Sequence, residues 1–397
     1  MTGPSGGTSD VMRLALVYDL DACHNPTGVT RHALAQLERF RARAEIDFRV
    51  VSGRLSDPDG LLFWEGLDDL PRRQLPLRTR DALRWWRLRP WPPIEWWTGP
   101  IDWVYCPAEY DVPTAQARRA VTSHDVLQDV TLRPRRHRDR LARTLDQADL
   151  ILSVSEFNTA TLVDRFPGCQ DRVALVPNAA EDLFFEPPTD RERAQVRSDL
   201  GLPPGIPYLL SVANFQPRKN LDTLVWAAGR LPEVASGDLA LVLLGAGLEA
   251  EEQALRAVVT ELGRKPIVRL PGYRQAEALR AAYAEATALV FPSTCESFGI
   301  PTVEAMAQGI PVALANSTAL PEVGGAAGWY FPPRDESAIT ATLAELLSRH
   351  DERARRVALG HQIARSYTWQ AANDRLMAAL RSFQDRPRRV GSREKPT

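Results

Sequence analysis

The sequence predicts an α/β protein made of two tandem doubly wound, Rossmann-like domains. Short apolar runs of strand length alternate with stretches of helical spacing along most of the chain, a rhythm typical of parallel sheets with helical crossovers. A stretch rich in proline and charge, 186–207, is typical of a linker and interrupts this alternation, which restarts immediately afterwards. The 397 residues exceed the usual size of one domain. Because such domains bind ligands at the carboxyl ends of their strands, we expect the two to face each other across a ligand-binding cleft.

The first half opens with a strand, a loop and a helix. Residues 14–18 form a short apolar run, and Leu34, Leu37 and Phe40 recur at helical spacing in the segment 30–40. Further elements are predicted as strands at 120–123, 150–153 and 173–176, and as helices at 139–145 and 157–166.

The second half keeps the same rhythm. Strands are predicted at 208–212, 239–244, 267–270, 288–291 and 311–315, and helices at 221–230, 251–262, 277–286, 302–308, 337–348, 352–364 and 370–383. Gly309 occupies the position that ends the helix 302–308. We place the boundary near Glu181, which gives an N-terminal domain, 11–180, and a C-terminal domain, 181–383. The polar tails 1–10 and 384–397 are expected to be flexible.

The composition excludes several classes of protein. The 49 basic side chains nearly cancel the 50 acidic ones, and no run of about 18 apolar residues is available for a membrane span. The four cysteines lie far apart, outside any C-x-x-C or Cys/His cluster with zinc-ligand spacing. The first ten residues lack the apolar core of a secretory signal. We therefore expect a cytoplasmic protein that needs neither disulfides nor a structural metal.

The segment 291–312 carries the strongest chemical signal. It is predicted as strand, loop, helix, glycine stop and strand, with Pro301 in the first helical turn, where its missing N–H would be unpaired anyway. The free amides of such a helix N-terminus attract phosphate. Glu296 in the loop and Glu304 one turn into the helix can border one pocket, and carboxylates there are good acceptors for sugar or ribose hydroxyls. This combination indicates a nucleotide sugar, although spacing alone fits equally a helix cap and a solvated charge.

Two cations, Arg218 and Lys219, precede the helix that follows the strand 208–212. Cations at a helix N-terminus oppose the macrodipole, which is unfavourable unless an anion binds between them. Lysine is rare here, with 3 lysines against 46 arginines, which weakens the interpretation of Lys219 as one more solvated charge. A bound diphosphate would supply the anion.

Two loops of the first half also follow strands. Gly28 lies between a strand and a helix, where glycine permits close backbone approach to a ligand. His124 directly follows the strand 120–123 at the edge expected to face the cleft, although a lone histidine is more often structural. Asp19 and Asp21 are interpreted as a local turn feature rather than a metal site.

The segment 72–143 is both basic and rich in tryptophan. It contains 15 arginines against 8 acidic residues, a local excess of +7. Its tryptophans are Trp85, Trp86, Trp91, Trp96, Trp97 and Trp103. Aromatic and basic residues together mark membrane surfaces or nucleic-acid grooves, but tryptophans at a core edge beside arginines look the same. We favour packing, keep peripheral contact with an anionic membrane as the alternative, and expect no nucleic-acid partner.

Taken together, these motifs make the chain resemble glycosyltransferase family 4, the retaining GT-B glycosyltransferases, and within it the mannosyltransferase-like enzymes of bacterial polysaccharide and glycolipid assembly. The resemblance extends from Leu14 to about Leu380. The matching motifs are 27–31, 122–125, 153–157, 176–178, 217–220, the Glu296 to Glu304 block around Phe-Gly-Ile-Pro, and 319–323.

The resemblance implies sugar transfer from a nucleoside diphosphate sugar, with retention at the anomeric carbon and without a metal or another cofactor. It assigns the ribose to Glu304 and the transferred sugar to Glu296, and places His124 near the reacting face of the sugar. Arg218 and Lys219 would stabilise the charge of the departing diphosphate. The implied catalytic residues are His124, Arg218, Lys219 and Glu296. The implied donor-binding residues are Gly28, Arg218, Lys219, Glu296, Ser297, Phe298, Gly299, Ile300, Thr302 and Glu304.

The chain departs from the family pattern at three places, which bear on sugar selectivity and phosphate binding. Many relatives have glycine where Ser297 stands and a large residue where Cys295 stands. Many relatives also carry a second arginine where Ala213 and Asn214 lie. Without it, Arg218 and Lys219 would supply more of the positive charge that binds the diphosphate. No carboxylate stands out as a covalent nucleophile, so we favour attack on the same face as the leaving phosphate.

Donor base, sugar and acceptor stay open. We favour GDP-mannose as the donor, with UDP- or dTDP-hexoses behind it. The acceptor is expected to be a glycan, a lipid-linked sugar or a small molecule, and a lipid-linked acceptor would place the protein at the inner membrane face. The alternatives are a catalytically silent GT-B scaffold or a GT-B nucleotide-sugar epimerase. A phosphorylase expects a cofactor lysine, and Lys265 lies at the wrong end of its strand. A dinucleotide oxidoreductase lacks support because no G-x-G-x-x-G with a downstream acidic residue occurs. The oligomeric state is unknown.

Overall fold

The computed structural model describes residues 11–24, 27–56, 70–131, 133–263 and 267–389. The chain divides into two compact units. Unit 1 comprises the residues up to Val176 together with those from Trp369 onward, and unit 2 is Pro177–Thr368. The division after Val176 lies close to the boundary that the sequence suggests near Glu181.

Unit 1 is built on a parallel sheet flanked by helices. Its elements up to Val176 are β1 (Met12–Val17), α1 (Gly28–Arg41), β2 (Ile46–Ser52), β3 (Arg72–Gln74), α2 (Thr79–Leu88), α3 (Glu95–Thr98), β4 (Trp103–Cys106), β5 (Arg118–Ser123), α4 (Val126–Thr131), α5 (Arg135–Gln147), β6 (Leu150–Ser153), α6 (Glu156–Arg165) and β7 (Val173–Leu175). Within the described residues, the strands lie in the order β3-β2-β1-β4-β5-β6-β7, and every pairing is parallel. Six of these elements were not predicted from the sequence: β2, β3, β4, α2, α3 and α4.

Unit 2 repeats the same plan. Its elements are α7 (Asp190–Asp199), β8 (Tyr208–Val212), α8 (Leu221–Gly229), α9 (Pro232–Ser236), β9 (Ala240–Leu244), α10 (Glu249–Glu261), β10 (Val268–Gly272), α11 (Ala276–Ala284), β11 (Ala288–Phe291), α12 (Ile300–Ala307), β12 (Val312–Ala315), α13 (Leu320–Gly324), β13 (Gly328–Phe331), α14 (Glu336–Ser348) and α15 (His350–Ala364). In the described part of this unit the sheet order is β10-β9-β8-β11-β12-β13, again parallel throughout.

Both sheets follow the strand order of a Rossmann fold. In each unit the order runs outward from the first strand in one direction and then resumes on its other side, between β1 and β4 in unit 1 and between β8 and β11 in unit 2. The predicted fold class, two Rossmann-like doubly wound domains, is therefore confirmed. Open parallel sheets of this kind bind ligands outside the carboxyl ends of the strands at that switch point.

The segment 186–207, which the sequence suggests is a linker, contains a helix. α7 begins after Thr189, whose hydroxyl accepts from the amide of Glu192, while the Glu192 carboxylate accepts from the amide of Thr189. This reciprocal capping box satisfies two amides that a helix start leaves unpaired. The prolines flank the helix instead of excluding it.

The last helix, α16 (Trp369–Phe383), belongs to unit 1, so its assignment to the C-terminal domain is wrong. It packs against α1 and β6, and Asn373 donates to the side chain of Gln36. An amphipathic pattern shows which face is buried but not against which domain.

Residues 384–389 also pack on unit 1 instead of forming a flexible tail. The indole of Trp103 donates to the Gln384 side chain at 2.5 Å, and the Asp149 carboxylate accepts from the amide of Arg389 at 2.7 Å. Residues 1–10 and 390–397 lie outside the described residues.

The tryptophan-rich segment divides between core and surface. Trp86 and Trp103 are buried, and Trp97 packs against the core of unit 1, as the packing interpretation expects. That interpretation is wrong for the other three, which are exposed: Trp85, Trp91 and Trp96.

Candidate active site

The loops that follow β8 and β11 meet at the switch point of unit 2. β8 and β11 are neighbours in the sheet, so their carboxyl ends bring the two loops together. The first loop carries Arg218 and Lys219 in a short 3-10 turn, and the second carries Glu296. The structure thereby joins the two segments that the sequence singles out separately.

The side chains of Lys219, Arg218 and Glu296 form a buried ion cluster. The Lys219 ammonium Nζ lies 2.5 Å from Glu296 Oε1, and Arg218 Nη1 lies 3.2 Å from the same oxygen. The three side chains are between 10% and 16% exposed. Burial would raise the pKa of Glu296, but the charges of Lys219 and Arg218 outweigh it and hold the pKa below its ordinary value. Glu296 is thus ionised at neutral pH, and the cluster of two cations and one carboxylate has a net positive charge.

The backbone around Lys219 is fixed by its neighbours. Asn220 adopts the left-handed conformation with φ 57°, and its side-chain amide donates to the carbonyl of Pro292 at 3.2 Å. The carbonyl of Arg218 accepts from the amide of Thr294 at 2.8 Å. Asparagine tolerates this backbone conformation better than most residues, which explains its place between the cations and the helix α8.

The Glu296 loop is held from its other side by Thr318. The Thr318 hydroxyl Oγ1 accepts from the amide of Glu296 at 2.9 Å, and the Glu296 carbonyl accepts from the amide of Ala319 at 3.2 Å. Thr318 itself has φ 52°, a conformation that a β-branched residue adopts only when its surroundings impose it. Sequence analysis missed this residue because nothing in the local pattern signals a positive φ at a threonine.

The N-terminus of α12 opens beside this loop. Gly299 precedes it with φ 104°, and a Cβ on Gly299 would lie 2.7 Å from Leu320 Cδ2, so both the conformation and the space require glycine. Pro301 occupies the first turn. The hydroxyl of Thr302 is fully buried and, among the described residues, has no hydrogen-bond partner. A buried unpaired hydroxyl at a helix N-terminus is suited to a polar ligand group.

Glu304 lies one turn into α12 and is buried, with 2% of its surface exposed. The hydroxyl of Tyr283, from α11, donates to Glu304 Oε2 at 2.8 Å. A carboxylate has about four acceptor positions, so this bond orients Glu304 without exhausting it. Tyr283 is a second residue that sequence analysis missed, since a tyrosine within an amphipathic helix is ordinarily a core residue.

The remaining predicted residues of this segment also lie around the start of α12. Ser297 and Phe298 are buried, and Ile300, the first residue of the helix, is half-buried. The ring of Phe298 packs edge-on against Tyr367 with centroids 5.2 Å apart. Phe298 therefore anchors the loop through its side chain and leaves its backbone as the part suited to a ligand.

In unit 1, Gly28 is the first residue of α1 and is exposed. Thr27 caps this helix, because its hydroxyl accepts from the amide of Thr30. Asn25 and Pro26 of the same predicted loop lie outside the described residues. Gly28 thus lies at a capped helix N-terminus that follows β1, next to the switch point of the first sheet.

His124 follows β5 in unit 1 and is held as a neutral imidazole. Its Nε2 lies 2.8 Å from the carbonyl oxygen of Pro107, which can only accept, so the proton is on Nε2. Burial lowers the pKa of His124, and the bond to Pro107 offsets only part of that effect. The ring also packs edge-on against His32. A neutral imidazole protonated at Nε2 has Nδ1 as a hydrogen-bond acceptor.

Asp21 lies in a short 3-10 turn, Leu20–His24, as the turn interpretation expects. Its carboxylate also accepts from the amide and the hydroxyl of the distant Ser56. Across the described ranges, no group of three or more His, Cys, Asp or Glu side chains could hold a metal ion. Lys265 lies outside the described residues.

Comparison with known proteins agrees with this geometry. Residues 192–361 match the family described as glycosyl transferases group 1. The chain is 31% identical over 277 residues to an O-antigen chain mannosyltransferase B of Escherichia coli, covering 68% of this chain and 71% of that protein. It is 30% identical over 317 residues to a D-inositol 3-phosphate glycosyltransferase of Nocardia farcinica, covering 75% and 68%. The chain belongs to the glycosyl transferases group 1. It is therefore a glycosyltransferase, and its resemblance to the GT-B enzymes is confirmed.

Two solved structures share its fold. Sucrose-phosphate synthase from Thermosynechococcus elongatus superimposes with a TM-score of 0.73 at 21% identity, covering 94% of this chain and 98% of that one. HepE from Anabaena, in complex with UDP-glucose, gives a TM-score of 0.74 at 16% identity, covering 94% and 100%. The predicted GT-B fold class is confirmed.

None of the helices in the described ranges of this chain combines the length and apolarity needed to cross a bilayer.

Proposed function

We propose that this glycosyltransferase moves a hexose from a nucleoside diphosphate sugar to a hydroxyl acceptor, with retention at the anomeric carbon and without a metal. The observation that carries the proposal is the buried cluster of Arg218, Lys219 and Glu296 beside the N-terminus of α12. Cations and free helix amides suit a diphosphate, and the adjoining carboxylates suit hydroxyl groups.

In this proposal the diphosphate binds between the two cations and the start of α12. The cluster has a net positive charge and little contact with water, so a negative group gains more from it than from exposed cations. The amides of Phe298, Gly299 and Ile300 and the unpaired hydroxyl of Thr302 are the proposed additional hydrogen-bond donors. Charge that develops on the leaving diphosphate would be stabilised by groups already in place.

The carboxylates would divide the hydroxyls of the donor between them. Glu304, oriented by Tyr283, is the proposed acceptor for the ribose hydroxyls. Glu296, ionised and fixed by Lys219 and Thr318, is the proposed acceptor for hydroxyls of the transferred sugar. Ser297 in place of the glycine of many relatives lies beside this position and is proposed to affect sugar selectivity.

The proposed chemical step is attack on the face from which the diphosphate leaves. The bond between the anomeric carbon and the phosphate oxygen breaks, the electron pair stays on the diphosphate, and the acceptor oxygen bonds to the anomeric carbon. The acceptor proton passes to the leaving phosphate oxygen, so no protein carboxylate has to become covalently attached. Arg218 and Lys219 stabilise the diphosphate during this step.

Gly28 and His124 in unit 1 are retained as proposed donor contacts, Gly28 to the diphosphate and His124 to the sugar. Since His124 is neutral, with Nδ1 as acceptor, it is suited to accept from a sugar hydroxyl rather than to act as an acid. GDP-mannose is the favoured donor, supported by the mannosyltransferase name of the Escherichia coli relative. UDP-glucose, found in the HepE structure, is the main competitor. The proposed acceptor is a glycan, a lipid-linked sugar or a small molecule.

The donor assignment is tested by thermal stabilisation with GDP, UDP, dTDP and ADP. A nucleotide at about 100 times its dissociation constant stabilises a protein by roughly 2.7 kcal/mol. We expect one nucleotide to stabilise the wild type and not Lys219→Ala or Glu304→Ala. The matched controls are the exposed-residue variants Arg230→Ala and Glu233→Ala, which should respond like the wild type. Failure of all four nucleotides would contradict the proposed site.

Transfer itself is tested with the stabilising base as its mannose or glucose diphosphate and a panel of glycosyl acceptors. Magnetic resonance of the product should show the donor's anomeric configuration, and excess chelator should leave the rate unchanged. Nucleotide binding without turnover of any donor would favour the silent scaffold, and conversion of the donor to its epimer would favour the epimerase.

A further inference from the structure

Exposed apolar side chains concentrate in one short part of unit 1. Among the described residues, eight large hydrophobic side chains are exposed, and five of them lie within 77–96. Four of these five, Trp85, Leu88, Trp91 and Trp96, form what we call the indole patch, with exposures from 45% for Trp85 to 82% for Leu88. A cluster of this kind is unusual on a protein surface that faces only water.

The members of the indole patch are contiguous. The indole nitrogen of Trp85 donates to the carbonyl of Trp91 at 2.8 Å, and the rings of Trp91 and Trp96 pack edge-on with centroids 4.8 Å apart. Leu88 lies one turn beyond Trp85 on α2, which places both side chains on the same face of the helix. The patch is therefore one surface rather than scattered residues.

The patch rests on a fixed base. Trp86 is buried and donates to the carbonyl of Pro92 at 3.0 Å, and it packs edge-on against Trp97. The carboxylate of Glu95 accepts from three consecutive amides, those of 115–117, which ties α3 to the loop between β4 and β5. The indoles are thus held outward by an ordered support.

The charge around the patch is positive. Five arginines and two acidic residues lie within 77–96. Of the acidic residues, Glu95 is occupied by its three amides, and Asp81 pairs with Arg84 at 3.2 Å. Arg80 and Arg89 are exposed and lie on either side of Trp85 and Leu88 in the sequence, and the charge of Arg80 also acts on Asp19. The complementary partner is therefore both anionic and able to accept indole rings.

We propose that the indole patch docks on an anionic lipid surface. Indole rings favour the boundary between lipid headgroups and acyl chains because one part of the ring is apolar and the N–H is polar. The arginines near these indole rings add electrostatic attraction to anionic lipids, and apolar side chains alone do not provide that attraction. The proposal concerns unit 1 and does not depend on which nucleotide sugar unit 2 binds.

The first test is flotation with vesicles of phosphatidylcholine alone and with about 30% phosphatidylglycerol. We expect binding to the mixed vesicles, weak or no binding to the neutral ones, and a steep fall between about 0.05 and 0.5 M salt. The variant Leu88→Gln/Trp91→Gln/Trp96→Gln, which keeps Trp85 in place, should bind at least about tenfold more weakly. The matched control, Val11→Gln/Leu248→Gln, changes exposed apolar residues elsewhere and should bind like the wild type.

A second variant tests the charge and does not disturb the apolar side chains. Arg80→Gln/Arg89→Gln should weaken binding to the mixed vesicles by about 25-fold, since each arginine near such a surface contributes about fivefold. Arg365→Gln/Arg375→Gln is the matched control, and a circular dichroism spectrum and a melting temperature like those of the wild type show that each variant is folded.

Three outcomes would overturn the proposal. One is failure of the wild type to bind mixed vesicles at low salt, and another is equal binding by the patch variants. The third is a dimer in sedimentation velocity that the apolar triple variant dissociates, because the patch would then be covered by a second copy of the chain.

Discussion

The substitution Glu296→Gln should separate nucleotide binding from sugar transfer. It removes the negative charge from the ion cluster while preserving shape, and so leaves Lys219 and Arg218 close together without their shared carboxylate. Removal of one partner of a buried ion pair costs about 3–5 kcal/mol. We expect the lower end, about 3 kcal/mol, because the amide oxygen can still accept from Lys219.

The stability lost in Glu296→Gln should decrease as the pH falls. The folded pKa of Glu296 lies below its ordinary value of 4.5, so the carboxylate contributes its full stability above that value and loses it as the pH falls towards the folded pKa. The difference in stability between the wild type and Glu296→Gln should therefore be largest at neutral pH and shrink below about pH 4.5.

Scanning calorimetry at pH 7 measures the stability. For a unit the size of Pro177–Thr368, a loss of about 3 kcal/mol lowers the melting temperature by about 6–12 °C. Titration calorimetry should show the nucleoside diphosphate binding at least as tightly as to the wild type, since the cations no longer share their charge with a carboxylate. The transfer rate should fall about a hundredfold because the sugar is no longer oriented.

Glu233→Gln, at an exposed carboxylate, is the control and should leave the melting temperature, the nucleotide affinity and the transfer rate unchanged. The reasoning is refuted if Glu296→Gln melts at the wild-type temperature at pH 7, or if nucleotide affinity and transfer rate fall together by the same factor.

Three further substitutions test other parts of the structure. In a denaturation assay, Gly299→Ala should lose about 2 kcal/mol of stability, and it should also bind the nucleotide more weakly. The reason is that φ is 104° and the new Cβ would meet a side chain at 2.7 Å. The control Gly205→Ala has a positive φ but open space around it, and should lose about 1 kcal/mol in the same assay. In the wild type the free energy of unfolding should fall as the pH drops below about 6.5, because the pKa of His124 is lowered in the folded protein and the unfolded chain takes up the proton first. In His124→Asn this fall should be smaller. An unchanged pH profile would contradict the buried neutral ring. Thr318→Ala should cost about 1 kcal/mol and slow transfer, because the amide of Glu296 loses its acceptor, whereas a normal rate would show that this bond does not position the loop.

β13 of unit 2 was not predicted, but β8, β9, β11 and β12 were, because each of these strands is almost wholly buried. Such a strand is continuously apolar, as in β9, where all five residues are buried. β2 shows why the first half was harder. It alternates buried residues with Asp47 and Arg49, a pattern that does not stand out without knowledge of its neighbours. β4 is hidden in the tryptophan-rich segment, where composition draws attention to the surface instead.

The pairing of the cations with a carboxylate could be anticipated, but the supporting contacts could not. Arg218, Lys219 and Glu296 each follow a strand, and the carboxyl ends of neighbouring parallel strands necessarily adjoin. Tyr283 and Thr318 act through contacts between elements that are distant in the sequence, and their local sequence gives no sign of that role. The helix α7 was recoverable in principle, because Thr189 and Glu192 form the spacing of a capping box.

The return of α16 to unit 1 reverses the order in which the two units can be completed during synthesis. Unit 2 is continuous in sequence, whereas unit 1 awaits α16, which emerges about 190 residues after Val176. At about 5–20 residues per second the ribosome needs about 10–40 s for that interval. Throughout it, the surfaces of α1 and β6 that α16 covers have no permanent partner. The domain translated first is thus finished last, so ribosome-bound chains should contain a protease-resistant unit 2 before they contain a protease-resistant unit 1.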